Sequence, residues 1–250
     1  MAHFYLDETL TSAREGETVT LTGAEARHAG SVSRLREGET VRLGNGSGLV
    51  LTVEALRVDK DQIDFRVLRS DNVELHSPRV ILVQALTKGD RDERAIEAAT
   101  ELGVDEIVPW GASRSISVWT GDKTVRGEER WRTIVREATK QSMRAFVPLV
   151  REYVSSELLC SHLGPALILV LDPQGDVTTE SAWSQLVAEA RAAERNIAIV
   201  VGPEGGITPA ERELFTTAGA VCVSLGTHIL RSSTAGPAFL SAINGSLGRW

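Results

Sequence analysis

Two glycine-punctuated turns near the C-terminus hold the residues best placed to do chemistry: Val200-Val201-Gly202-Pro203-Glu204-Gly205-Gly206-Ile207 and Leu225-Gly226-Thr227-His228-Ile229-Leu230-Arg231. Each follows a hydrophobic, strand-like run and leads into a helix start. A strand, a glycine turn and a helix used twice in succession gather backbone amides and carbonyls at the carboxyl ends of parallel strands, where open α/β sheets bind ligands. A small polar ligand could be gripped there by main chain. Neither turn reads as G-x-G-x-x-G and no G-x-x-x-x-G-K-[ST] occurs, so the ordinary mononucleotide loops are disfavoured. Thr208-Pro209-Ala210-Glu211 forms a capping box with proline at the first helical position, which holds the first turn rigidly.

The elements that must position these turns change character along the chain. The N-terminal part reads as all-β: short alternating runs such as Thr18–Leu21, Glu39–Leu43, Leu49–Val53 and Gln62–Leu68 are separated by turn signals. One helical interruption spans Gly23–Arg34. A polar stretch from Ser70 to Pro78 reads as a linker, giving a first domain over residues 1–73 and a second over 74–250. In the second, apolar strands beginning at Val80, Glu106, Ala166, Ile197 and Val221 alternate with helical segments, as an α/β domain with helices on both faces of a parallel sheet requires. Asp90 is placed to cap the helix that follows Lys88-Gly89-Asp90-Arg91.

Composition suits a packed, non-membrane protein. The 250 residues are 42% hydrophobic, with no apolar run long enough to span a bilayer. The start, Met1-Ala2-His3-Phe4, has neither the basic nor the apolar region of a signal peptide, so a cytoplasmic location is expected. Cys160 and Cys222, without metal-ligand spacing, read as two reduced, buried thiols. The net charge of −7 argues superficially against nucleic acid, yet residues 114–151 carry nine basic against four acidic groups. That segment is either a basic stripe or a solvated helix face.

Three blocks together closely resemble the SPOUT class of methyltransferases and, within it, the RsmE family of 16S rRNA uridine-N3 methyltransferases. They are Gln84–Arg91 with Ala99–Pro109, Gly202-Pro203-Glu204-Gly205-Gly206, and Leu225–Ala235. With a weaker N-terminal match they cover nearly the whole chain in the family's order. The resemblance implies a SPOUT domain whose C-terminal strands and loops tie a trefoil knot around S-adenosylmethionine, preceded by a small PUA-like β-barrel that binds RNA. It implies a homodimer, with 16S rRNA or the assembled small ribosomal subunit as substrate and no metal.

Carried over by motif, the cofactor pocket comprises Leu171, Val201, Gly202, Pro203, Glu204, Gly205, Gly206, Leu225, Gly226, Leu230, Ser233, Thr234 and Ala235. Glu204 either faces the cofactor or caps a neighbouring amide. Arg231 is the first candidate for a reacting-centre side chain, since a guanidinium can stabilise negative charge developing on a uracil and a mere surface arginine at a helix start would oppose the helix dipole. His228 stands where the family frequently has arginine, and Ser233 where it frequently has glutamate, which leaves the proton acceptor open. His228 is a candidate for that work, against the commoner structural role of a lone histidine. Arg27, His28, Arg34, Lys88, Arg91, Arg126, Arg130, Lys140 and Arg144 are the candidate RNA contacts. Another SPOUT activity, such as ribose 2′-O-methylation, and a non-catalytic RNA-binding assembly factor are the alternatives.

Overall fold

Alternating apolar residues in the N-terminal stretch build a five-stranded sheet, and the continuous apolar runs after it build a seven-stranded one. The protein is described by a computed structural model covering residues 3–250. The chain divides into two units, the first reaching Leu75 and including Thr139–Val147, the second comprising His76–Ala138 and Pro148–Trp250.

In the first unit, β1 (Phe4–Leu6), β2 (Thr18–Thr22), α1 (Gly23–Arg27), β3 (Thr40–Gly44), β4 (Leu49–Val58) and β5 (Gln62–Asn72) give the sheet order β1-β3-β4-β5-β2. α1 passes directly into a π-helical turn, His28–Val32, and Arg34 follows in the left-handed region at φ 55°. The two-residue period sends Leu51, Val53, Ile63, Phe65 and Val67 into one buried core. Register shifts in β4 at Thr52/Val53 and Ala55/Arg57 bend the sheet around it.

Thr139–Val147 joins this unit, which a simple division after residue 73 leaves out. Gly48 N–H donates to Ala145 O at 3.0 Å and Val147 N–H to Gly46 O at 2.9 Å. Gly48 sits at φ 107°, where a β-carbon would lie 2.7 Å from the Phe146 ring, so only glycine permits the approach.

The second unit contains β6 (Val80–Ala85), α2 (Arg91–Glu101), β7 (Glu106–Gly111), α3 (Asp122–Gln141), β8 (Leu149–Val150), β9 (Val154–Ser155), α4 (Ser156–Leu163), β10 (Leu167–Leu171), α5 (Glu180–Ala192), β11 (Ile197–Val201), α6 (Pro209–Thr217), β12 (Val221–Val223) and α7 (Ser232–Leu247). The last turn of α3 belongs with the first unit. All strands pair in parallel in the order β12-β10-β11-β6-β7-β8, with β9 also on β7. α4 and α6 cover one face, where Trp110 packs edge-on against Phe215. The other face carries α2, α5 and α7, with Trp183 edge-on to Phe239. Gly236 lets α7 lie on the sheet: a β-carbon there would meet Leu82 Cδ1 at 2.8 Å.

β12 is gripped on both edges by one stretch of chain. Asp172 N–H, at the end of β10, donates to Val223 O at 3.0 Å. Val177 then pairs with the opposite edge, donating to Cys222 O at 3.2 Å and accepting from Ser224 N–H at 2.9 Å. The chain leaving β12 must therefore pass the loop Asp172–Val177 before α7 returns to the middle of the sheet.

Two local expectations are corrected. Asp90 is the N-cap residue of α2 by position, but its side chain makes no cap hydrogen bond; its carboxylate accepts from Arg94 instead. The cap is made by Thr87 and Asp92, which exchange hydrogen bonds at 3.0 and 3.2 Å. Cys222 is buried but Cys160 only half so, and both thiols are free.

Candidate active site

Leu171 ends β10 and Val201 ends β11 in register beside it, so the loops that follow open side by side. Between them and the start of α7 lies a cavity of about 720 Å³. The turn Val201–Gly206 forms one wall, and Ile229 to Ser232 with Ala235 another. Gly206 N–H closes the turn onto Pro203 O at 2.9 Å, with Gly206 at φ 71°. Gly202 and Gly205 are there for space: β-carbons would come within 2.9 Å of Ile207 Cγ1 and of Arg114 Cβ respectively. Glu204 caps no amide; it accepts from Arg91 at 2.7 Å.

The rigidity of this wall comes from Glu211. The capping box forms, with Thr208 Oγ1 accepting from Glu211 N–H at 3.1 Å and Thr208 N–H donating back at 2.9 Å. The same carboxylate accepts from Ser113 N–H and from Ser156 Oγ, both at 2.7 Å, and Ser156 Oγ accepts from buried Trp110 Nε1 at 3.1 Å. Glu211 thereby ties the loop after β7 to the turn after β11. Burial pushes its carboxyl upward, but the four hydrogen bonds outweigh that and hold it at about 2, below the ordinary 4.5. Because the folded value lies below the unfolded one, this stabilisation is fully present above about pH 5 and is lost as pH falls towards 2. Glu211→Gln is expected to lower stability at neutral pH by about 3 kcal/mol and to flatten the acid limb. Urea unfolding at a series of pH values measures both, and an unchanged acid limb would show that the charge is not the stabilising feature.

The second turn is arranged less tightly. Gly226 adopts φ 90°, and Leu225, His228 and Leu230 line a smaller cavity of about 60 Å³ shared with Leu171 and Ala235. Arg231 is the N-cap residue of α7 and lines the large cavity. Of the two candidate reacting side chains, Arg231 lines the larger cavity, while His228 is exposed and lines the smaller one that adjoins it. Ser233 and Thr234 occupy the first turn of α7, which begins at Ser232, and with Gly226 they line neither cavity.

The candidate RNA contacts are scattered. In the first unit Arg27 is exposed and 3.4 Å from Asp61, His28 lies edge-on to Tyr5, and Arg34 is exposed. Lys140 is corrected: it is buried, donating to Glu25 at 2.9 Å, so its ammonium is withheld from a phosphate. Arg144 is half-buried, its N–H bonded to Thr139 O. In the second unit Lys88 is exposed, Arg126 donates to Asp122 O, Arg130 pairs with Glu93, and Arg91 stands at the cavity.

Sequence reasoning passed over Arg114, Asp172, Gln174 and Arg212 at the cavity. None belongs to a local motif. Arg114 reaches the site from the loop after β7 by donating to Gly205 O at 3.0 Å, and Arg212 donates to Gln174 O and lies 3.4 Å from Asp172. Among the described residues no cluster of three or more His, Cys, Asp or Glu could hold a metal, and no helix is long and apolar enough to cross a membrane.

The cavity fits a nucleoside-sized ligand bearing charge: glycine turns expose main chain, and apolar Leu171, Val201 and Leu230 supply faces for a flat ring. Comparison with known proteins agrees. The family described as RNA methyltransferase domain matches residues 74–244, and that described as RNA methyltransferase PUA domain matches 21–68. The chain is 38% identical to ribosomal RNA small subunit methyltransferase E of Mycobacterium bovis, over 99% of this chain and 92% of the relative. It resembles the crystal structure of a ribosomal RNA small subunit methyltransferase E from Neisseria gonorrhoeae bound to S-adenosylmethionine, with a TM-score of 0.84, 27% identity and 98% of both chains covered. A methyltransferase from Legionella pneumophila, also with S-adenosylmethionine, superposes with a TM-score of 0.85 at 27% identity over 98% of both chains.

Proposed function

The chain belongs to the RNA methyltransferase family that includes ribosomal RNA small subunit methyltransferase E, and from that premise we propose that it methylates N3 of one uridine in 16S rRNA. The observation that carries the reading is the cavity at the ends of β10 and β11, walled by Gly202–Gly206 and by Leu230-Arg231-Ser232. S-adenosylmethionine is the cofactor, and when bound it supplies a methyl group on a positively charged sulfur. Main-chain groups of Gly202 to Gly206 and the side chains of Leu171, Val201 and Leu230 hold and orient it. Holding the acceptor in line with that methyl contributes several kcal/mol to lowering the barrier. Arg231 faces the acceptor and stabilises negative charge on the uracil carbonyls.

Arg27, His28, Arg34, Lys88, Arg126 and Arg130 are exposed and remain the phosphate contacts of this reading. The ion pair that Arg27 makes with Asp61 is solvent-exposed and weak enough for a phosphate to displace, whereas Arg130 is held through two nitrogens by half-buried Glu93 and gives up that pair less readily. The substrate places the enzyme in the cytoplasm.

Labelled methyl transfer to small subunits or 16S rRNA, followed by mapping of the modified nucleotide, tests the assignment. N3-methyluridine is the expected product. Label on a ribose 2′-oxygen would replace it with another SPOUT activity, and binding without transfer would leave an assembly factor.

The same reading includes a homodimer. Ile116 and Ile229, 71% and 80% exposed, are apolar side chains that a partner subunit would cover in this reading. Sedimentation at micromolar concentration is expected to give about twice the 27.0 kDa chain mass. A fully active monomer would refute a shared site.

A further inference from the structure

Six charged side chains line the large cavity: Arg91, Arg114, Arg212, Arg231, Asp172 and Glu204. Four of them cancel in pairs, Glu204 with Arg91 at 2.7 Å and Asp172 with Arg212 at 3.4 Å. Arg114 and Arg231 have no carboxylate partner among the described residues. Arg114 donates one N–H to Gly205 O at 3.0 Å and keeps its other donors for the cavity. Arg231 sits at the N-terminus of α7, where the helix dipole opposes a cation. Two guanidiniums without a carboxylate partner, one bonded to the Gly205 turn and one at the start of α7, call for an anion, and every carboxylate lining the cavity is already engaged.

Uracil is neutral when it arrives and must be an anion when it attacks. Its N3 hydrogen lies along the direction from which the methyl group has to come, so a side chain bonded to that hydrogen would occupy the path of transfer. We propose that Arg114, acting with Arg231, ionises the bound uracil electrostatically, the N3 proton passing to solvent and not to a side-chain base. The inference rests on the uridine-N3 reading above. The N3–H bond breaks and leaves its electron pair on N3, delocalised over O2 and O4, which accept from the guanidiniums. The N3–C bond then forms as the S–C bond breaks, the sulfur keeping that pair and becoming a neutral thioether. One proton is released for each methyl transferred. Ser233, at the position where the family frequently has glutamate, is then no deficit, because the cavity needs no carboxylate there.

The placement of Arg114 depends on two long-range contacts. Ser113 N–H is held by Glu211, and Gly205 brings its carbonyl to the guanidinium because the missing side chain leaves room for Arg114 Cβ. Arg91 and Arg212 stand on the same cavity but are neutralised, so they set the background against which the other two act.

The experiment measures N3 ionisation directly, without cofactor. An RNA oligonucleotide carrying 5-fluorouridine at the position mapped above is titrated with pH and followed by ¹⁹F NMR, free and saturated with protein, with binding checked by anisotropy. A cation within about 4–6 Å of an acid lowers its midpoint by about 1–3 pH units, so the bound midpoint is expected to fall by that much. Arg114→Gln returns the midpoint most of the way to the free value, and Arg114→Lys, which keeps the charge, retains it. In single-turnover transfer the wild-type rate rises tenfold per pH unit below the same midpoint, and 5-fluorouridine, whose fluorine acidifies N3, recovers part of the rate lost in Arg114→Gln.

Identical midpoints for wild type and Arg114→Gln overturn the inference. So does a loss in Arg114→Gln that is equal at every pH and for both bases, or one confined to RNA affinity and its salt slope, which would make Arg114 a phosphate contact. A protein that binds RNA and cofactor but makes no N3-methyluridine removes the reading beneath it instead.

Discussion

Arg231→Ala lowers the single-turnover rate of methyl transfer by roughly ten- to a thousandfold, the range for losing one preorganised electrostatic stabiliser, with a much smaller change in RNA affinity. The expectation follows from where the side chain stands. Arg231 is the N-cap residue of α7, its backbone carbonyl taken by Thr234 and Ala235 N–H, so the guanidinium projects from a fixed point at the cavity. It makes no cap hydrogen bond there, although serine, threonine or aspartate would stabilise the helix by about 1 kcal/mol. Poor for the helix and without a carboxylate partner among the described residues, Arg231 is the side chain that the proposed mechanism sets against the acceptor. Rates at saturating RNA and cofactor isolate the chemical step, and a wild-type rate in Arg231→Ala would remove the residue from the mechanism.

Gly206→Val abolishes cofactor binding without unfolding the chain. A β-carbon at this glycine would find open space, with Arg114 Nη1 no closer than 4.0 Å, so crowding is not the reason. The reason is φ of 71°, a conformation that costs an ordinary L-residue about 1–2 kcal/mol and a β-branched one more. Valine therefore turns the peptide groups of Glu204 to Ile207 away from their present directions, and main-chain recognition has no side chain to compensate. α6 remains anchored by the Thr208–Glu211 box, so the thermal transition shifts little. Calorimetry with S-adenosylmethionine or S-adenosylhomocysteine decides: undiminished affinity in a folded variant would mean that this turn does not hold the cofactor.

What the sequence determined by itself is what local chemistry specifies. Continuous apolar runs placed β10 and β11, and Gly202 placed the turn after β11, because a buried parallel strand needs both faces apolar and its exit needs backbone freedom. Thr208-Pro209-Ala210-Glu211 marked the start of α6 to the residue, since a capping box is complete within one turn. The motifs around Gly202–Gly206 and Leu225–Ala235 pointed to the family, and with it to the cofactor.

Tertiary structure decided whatever depends on which distant segments meet. That Glu211 also holds Ser113 and Ser156, and so carries Arg114 to Gly205, is invisible to periodicity because these partners approach only when β7 and β11 take their places in one sheet. That Thr87 and Asp92, and not the Asp90 side chain, make the hydrogen bonds at the start of α2, and that Lys140 is buried against Glu25 while Arg126 and Arg130 stay exposed, follow likewise from packing. A charge has the same letter whether it is paired, buried or free. Only the fold settles which of the cavity's four arginines keep a field to offer, because compensation depends on distance and a linear sequence carries none.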